Sequence, residues 1–140
     1  MPNYYVDSNI FFYAKIMDRK YGPSCSVIVR SIWEHRLNVT ISSLILLEVS
    51  NALRKYGRVK DVAPEVRAIS SLGIETYPMD ASDVQEAAEI FEETKINPYD
   101  CLHAAIMKRY NLTQIISADR EFDKLKWLSR IDPEKLSASS

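Results

Sequence analysis

Residues 4–16 read YYVDSNIFFYAKI. Tyr4, Tyr5 and Val6 suit a short strand, and the run from Ser8 to Ile16, rich in Ile10, Phe11, Phe12 and Tyr13, suits a helix. An acid, Asp7, stands at the junction. The same kind of junction recurs three times further along. Glu48 lies in SLILLEVSNAL, Asp100 in NPYDCLHAA and Asp119 in QIISADREF. Each acid is flanked by residues that should be buried, and no Lys or Arg adjoins the first three in sequence. A lone carboxylate in apolar surroundings is costly unless something cationic neutralises it.

Between these junctions the chain alternates strand and helix. Gly22-Pro23-Ser24 punctuates, and Ser24 is placed to cap a second helix running to about His35. NVTI (Asn38 to Ile41) reads as a strand, with Ser42-Ser43 capping a helix from Leu44 to about Tyr56. A helix around Pro64 to Leu72, a strand at IETY (Ile74 to Tyr77) and a helix from Ala81 to Thr94 follow. Asn97-Pro98 opens a helix ending near Tyr110-Asn111, and QIIS (Gln114 to Ser117) is the fourth strand. Asp119 to Leu128 reads as a turn and short helix. Alternation of this kind predicts an α/β fold: a three-layer α/β/α sandwich around a short, mainly parallel sheet of four to five strands. One domain over residues 1–132 and a frayed tail over 133–140 are expected.

Composition narrows the classes. Hydrophobic residues are 46% and charged residues 26%, which excludes disordered and low-complexity chains. Cys25 and Cys101 are far apart with no metal-ligand spacing, so both read as small buried hydrophobes. No leader and no membrane span are expected, which implies a cytoplasmic protein. Net charge is −1; removing four negative charges by metal binding would leave +3, compatible with a polyanionic substrate.

In open α/β sheets, ligands bind beyond the carboxyl ends of the strands. Asp7 and Asp119 follow strands there, while Glu48 and Asp100 lie early in helices. At about 100° per residue, Glu48 shares a face with Leu44, Ile45 and Ala52, and Asp100 with His103, Ala104 and Met107. Two carboxylates about 5 Å apart repel by roughly 3 kcal/mol at an effective dielectric of 20. Gathered acids therefore imply protons or cations. Hard oxygen ligands favour Mg²⁺ or Mn²⁺, ions that activate water and offset charge in phosphodiester hydrolysis.

Structural readings compete at each acid. Asp7 and Asp119 suit helix caps, and Asp100 sits at the third position behind an Asn97 cap. Glu48 could pair within its helix with Lys55, two turns on. His103 could face the site or be a satisfied core histidine, and His35 reads as surface. Asp123 is a candidate to reach the cluster or a solvated helix position. Arg54, Lys55, Arg58 and Lys60 form one basic run, and Arg120, Lys124, Lys126 and Arg130 another; each is either a phosphate contact or a solvated face. Phe11, Phe12, Ile28, Ile32 and Trp33 suit either core or a dimer contact.

YYVDSNIFFY, LILLEVSNAL, NPYDCLHAAIMKRYN and QIISADREFDKL together resemble the PIN-domain nucleases, and within them the small single-domain toxins of the VapC type. The likeness covers almost the whole chain. It implies Mg²⁺- or Mn²⁺-dependent endonucleolytic cleavage of RNA, leaving a 5′-phosphate and a 3′-hydroxyl. By position, Asp7, Glu48, Asp100 and Asp119 match the family's acidic quartet. Asp7 and Asp100 would be direct ligands, and Glu48 and Asp119 would complete the shell. Ser8, Asn9 and Ser117 match small polar positions that orient it, with Asp123 as a further supporting acid, and Arg54, Lys55, Arg58 and Arg120 are candidate RNA contacts. The resemblance also implies a homodimer and a small antitoxin partner. An RNA-maturation nuclease without an antitoxin, or a non-catalytic RNA- or protein-binding module, are its rivals. A phosphorylated receiver domain would want a Lys at the end of a late strand, and Gln114 to Asp119 has none.

Overall fold

A computed structural model describes residues 2–139. Five strands, β1 (Asn3–Val6), β2 (Asn38–Ser42), β3 (Glu75–Tyr77), β4 (Gln114–Ile116) and β5 (Ser129–Ile131), form one sheet in the order β3-β2-β1-β4-β5, and every pair is parallel. Seven helices flank it: α1 (Ser8–Ile16), α2 (Gly22–Trp33), α3 (Ser43–Lys55), α4 (Val62–Ser70), α5 (Ala81–Thr94), α6 (Pro98–Arg109) and α7 (Pro133–Ser139). The chain winds outward from β1 to β2 and β3, then returns past β1 to β4 and β5. Right-handed crossovers then put α1 to α4 on one face and α5 with α6 on the other. Packing agrees, since α1 contacts α2 and α3, α3 contacts α4, and α5 contacts α6. This is the three-layer α/β sandwich expected from the alternation.

Burial explains why the strands are short and apolar. Tyr5, Val6, Ile41, Ile115 and Ile116 are at most 1% exposed, because helices cover both sheet faces. Cys25 and Cys101 are free and buried in this core, as small hydrophobes. Phe11, Ile28 and Ile32 also belong to it, whereas Trp33 is exposed. No helix among the described residues is long and apolar enough to cross a membrane.

Several boundaries differ from the sequence reading. Ser24 lies inside the first turn of α2, which Tyr21 and Gly22 begin, so it is no cap. Ser42 is the N-cap residue of α3, but its hydroxyl makes no capping bond; it turns to Tyr5 instead. The segment 120–124 is a 3-10 turn, not an α-helix. Ser129–Ile131 forms a fifth strand on the β4 edge, too short to carry a periodic signal. The expected frayed tail forms α7 as far as Ser139, packed on α2. Asp132 Oδ1 accepts from Glu134 N at 2.9 Å, and Leu136 packs on the core. Residue 140 lies outside the described residues.

Helix α6 carries Asp100 and His103, so its placement matters most for the site. Asn97 caps it, accepting from Tyr99 N at 2.8 Å, with Pro98 at the first helical position. Its far end is tied to the start of α5. Asp80 and Asp83 form a reciprocal capping box there. Arg109 Nη2 donates to Asp83 Oδ2 at 2.9 Å, and Nη1 to Asp80 Oδ2 at 3.1 Å. Asp83 is buried, and Arg109 is the cation beside it. Arg109→Met keeps an unbranched side chain but removes the guanidinium, with its bonds to Asp83, Asp80 and the Pro78 carbonyl and its place over the Tyr110 ring. We expect it to lower unfolding stability by about 2–3 kcal/mol, measured by denaturant titration, whereas Lys108→Met, which loses an exposed pair with Glu86, should leave the denaturation midpoint nearly unmoved.

Candidate active site

Register sets the first contacts. Val6 lies opposite Ile116, so Asp7 and Ser117 leave the ends of β1 and β4 side by side. Between them the winding direction reverses, the position where open α/β sheets bind ligands. Asp7 also caps α1: Oδ1 accepts from Ser8 N at 2.8 Å. Oδ2 accepts from the Ser117 hydroxyl at 2.6 Å and from Asn9 Nδ2 at 3.2 Å. Asn9 returns to the β4 loop, its Oδ1 accepting from Ala118 N at 3.3 Å. Ser117 Oγ in turn accepts from Asp119 N at 3.0 Å, and Asp119 Oδ1 caps the following turn through Glu121 N at 3.0 Å. The cap and the site are thus one arrangement for both Asp7 and Asp119.

Glu48 is reached from the opposite helical layer. His103 is fully buried, and its Nε2 lies 2.7 Å from Glu48 Oε1. Its Nδ1 lies 2.7 Å from the Tyr5 hydroxyl, which lies 2.7 Å from Ser42 Oγ. A ring nitrogen of His103 and oxygens of Asp7 and Glu48 fall within 4.8 Å of one another, close enough for a shared ion. Both ring nitrogens already have hydrogen-bond partners, however. His103 therefore orients Glu48 rather than offering a ligand atom, as histidines and their partners do around metal sites. Lys55 is not the partner of Glu48.

The remaining two acids meet at the mouth. Asp100 is hydrogen-bonded to Asp119, and its carboxyl is pushed up to about 8 by burial, the charges of Asp119 and Asp7 and that hydrogen bond; His103 only partly offsets this. Burial raises Asp7 as well, with Glu48 adding to it and His103, Ser117 and Ser8 opposing. Burial alone would lower His103, but the hydrogen bond and charge of Glu48, with Asp7 and Asp100, carry it above its usual range. Among the described residues no Lys or Arg makes an ion pair with any of the four acids. Among the described residues Asp7, Glu48 and His103 are the group close enough to share an ion, and carboxylate oxygens suit a hard divalent cation; Asp100 stands outside that group and is joined to Asp7 and Asp119 through their charges.

Other candidates fall elsewhere. Asp123 pairs with Arg130 Nε at 2.9 Å. Its link is indirect, because Arg130 Nη1 donates to the Ser117 carbonyl at 3.0 Å. Arg54 donates to Asn51, and Arg58 pairs with Asp61. Lys55 and the exposed Arg120 are without an ion pair among the described residues, and Lys55 lines a groove with Glu48. A separate cavity of about 660 Å³, lined by Phe11, Arg30, Trp33 and Glu65, contains none of the acids. Sequence reasoning puts Tyr5 in a strand and Ser42 at a helix cap, and assigns neither to the site. The signal was present in Tyr5, a hydroxyl in an otherwise apolar strand that needs a buried partner.

A model of the PIN domain matches residues 4–128. Ribonuclease VapC13 of Mycobacterium tuberculosis is 24% identical over 127 residues, covering 90% of this chain and 97% of that protein. The crystal structure of Mycobacterium tuberculosis VapC20, described as a Sarcin-Ricin loop cleaving toxin, superposes with a TM-score of 0.72 at 13% identity, over 89% of this chain and 95% of that one. A toxin–antitoxin complex from Klebsiella pneumoniae gives a TM-score of 0.64 at 15% identity, over 93% and 97% of the two chains.

Two outcomes follow from the geometry. Tyr5→Phe leaves His103 Nδ1 and Ser42 without their shared partner, and should lower unfolding stability by about 1–3 kcal/mol by denaturant titration. The raised carboxyls mean that the metal-free folded chain binds more protons than the unfolded chain between about pH 4 and pH 8. Its stability should therefore fall as pH rises through that window. Asp100→Asn removes much of this slope. At pH 8.5 in EDTA its melting temperature should exceed that of the wild type by on the order of 5 °C, with a smaller difference at pH 5. Parallel wild-type and variant melting curves across pH would contradict the repulsion.

Proposed function

Because this chain belongs to the PIN-domain family, we propose that it is a metal-dependent ribonuclease hydrolysing RNA phosphodiester bonds at the Asp7, Glu48, Asp100 and Asp119 cluster, and that it is the toxin of a toxin–antitoxin pair. The observation that carries the reading is the excess negative charge: burial, then the charges of Asp119 and Asp7, drive Asp100 up to about 8, and among the described residues His103, on Glu48, is the one basic side chain paired with any of the four acids. Structures that store such repulsion do so at functional sites. The names of the relatives support RNA as substrate, and the toxin–antitoxin complex among the fold's neighbours supports a protein partner.

In this reading Asp7 and Asp100 hold Mg²⁺ or Mn²⁺ directly, and Glu48 and Asp119 complete the shell. A divalent ion there would supply Lewis acidity and offset the charge that develops on the phosphoryl group. The chain's own residues do the positioning. Ser117 and Asn9 hold one oxygen of Asp7 and the Ser8 N–H holds the other, so the carboxylate keeps one rotamer. His103 fixes Glu48 from below. The Arg130 guanidinium steadies the Ser117 carbonyl, and Asp123 holds Arg130 in turn. Preorganised oxygens of this kind avoid reorganisation at the moment of reaction. The reading includes a homodimer and an antitoxin that covers the acids; the exposed Trp33, Val84 and Phe91 offer apolar surface for such contacts.

Incubating the purified protein with RNA in Mg²⁺, Mn²⁺ or EDTA tests it. Cleavage should need the metal, and Asp7→Asn should reduce the rate by roughly 100-fold or more. Mg²⁺ or Mn²⁺ should also raise the melting temperature of the wild type and leave that of Asp7→Asn nearly unmoved. Undiminished cleavage by Asp7→Asn, or full cleavage in EDTA, would refute the assignment.

A further inference from the structure

Ser42 stands at the N-cap position of α3, where a serine hydroxyl ordinarily accepts from the first turn, and its side chain makes no such bond. The hydroxyl lies 2.7 Å from the Tyr5 hydroxyl instead, and the Tyr5 hydroxyl lies 2.7 Å from His103 Nδ1. Tyr5, Ser42 and His103 are all fully buried. Phe would fill the Tyr5 position in an apolar strand without needing a partner. A forgone cap and a hydroxyl carried into the core are both local losses, and natural chains keep such losses chiefly at functional sites.

This line ties together the elements that carry two of the acids. Tyr5 lies two residues before Asp7 on the β1 segment. His103 Nε2 lies 2.7 Å from Glu48 Oε1, and Ser42 leads into the helix on which Glu48 stands. The Tyr5 and His103 rings also pack against each other, with centroids 5.5 Å apart, so the imidazole is held on both nitrogens and by one face. Oxygens of Asp7 and Glu48 and a nitrogen of His103 lie within 4.8 Å of one another. Sliding β1 against α3 or α6 would change that spacing and break a bond in the line. Cations differ in how much they ask of such spacing. Mg²⁺ takes near-ideal octahedral geometry at about 2.0–2.1 Å, whereas Ca²⁺ accepts roughly six to eight oxygens at about 2.3–2.6 Å in flexible arrangements. We propose that Tyr5 is a positioning residue that acts through His103, holding Glu48 relative to Asp7 at a spacing that suits a small divalent cation and discriminates against Ca²⁺. The inference rests on the metal-dependent reading above and adds what sets the choice of ion.

Competition against Mn²⁺, read from the electron paramagnetic resonance signal of the free ion, measures Mg²⁺ and Ca²⁺ binding without RNA. The wild type should bind Mg²⁺ more tightly than Ca²⁺. Tyr5→Phe should raise the dissociation constant for Mg²⁺ about tenfold and leave that for Ca²⁺ within about twofold. Ser42→Ala keeps the bond between Tyr5 and His103; it should shift Mg²⁺ the same way by about threefold, and it carries the test if Tyr5→Phe does not fold. Thr40→Val is the control for a merely structural effect. Thr40 lies opposite Tyr5 in the β1–β2 register, is 1% exposed, and donates to Asn3 Oδ1 at 3.0 Å, at the end of β1 away from Asp7. Its loss should lower stability and keep the wild-type ratio of the two affinities. An unchanged ratio in Tyr5→Phe, or in Ser42→Ala where Tyr5→Phe does not fold, overturns the assignment, as does an equal shift in Thr40→Val or a wild type that prefers Ca²⁺. A wild type that binds no divalent ion overturns the metal-dependent reading and this inference with it.

Discussion

Repulsion between carboxylates is the constraint on which this structure turns. Asp7, Glu48, Asp100 and Asp119 come from four separate segments, and among the described residues no Lys or Arg pairs with any of them. Neutral donors and one histidine keep them in place: Ser117, Asn9 and the Ser8 N–H for Asp7, His103 for Glu48, and the Glu121 N–H for Asp119. Such groups fix geometry without cancelling charge. Burial, with the charges of Asp119 and Asp7, carries Asp100 up to about 8, and in the function proposed above a cation would offset that charge.

Sheet topology makes the gathering feasible. Because β1 is central, with β2 and β4 on either side, one short strand end can address both halves of the molecule. Asp7 meets the β4 loop directly through register. The buried line from Ser42 through Tyr5 to His103 then joins β2, β1 and α6, and ends on Glu48 of α3. Polar groups this deep stabilise only when every member is satisfied, and none of the buried side-chain polar atoms described lacks a partner.

Much of this was legible in the linear chain. The strand–acid–helix junction at Asp7, the cap and proline opening α6, and the placement of Glu48 on an otherwise apolar helical face follow from local chemistry. Less was legible where the cause is not local. The fifth strand, Ser129–Ile131, exists because β4 offers it an edge, and α7 exists because α2 offers it a surface. Asp123 is joined to the site through a partner seven positions on, Arg130, whose guanidinium donates to the Ser117 carbonyl, a link that proximity in sequence does not show.

Alternating apolar periods, capping residues and the character of the four acids are properties of short segments, so the amino-acid order by itself determined the α/β class and the chemical identity of the candidate site. Which of those acids touch, and through what, depends on strand register and helix packing between residues up to 110 positions apart. Only the tertiary structure decided that Ser117 holds Asp7, that His103 belongs to Glu48 and Tyr5, and that Lys55 opens onto a groove instead of pairing with Glu48. Side-chain contacts of that range are set by the packing of the whole core, and no local pattern encodes them.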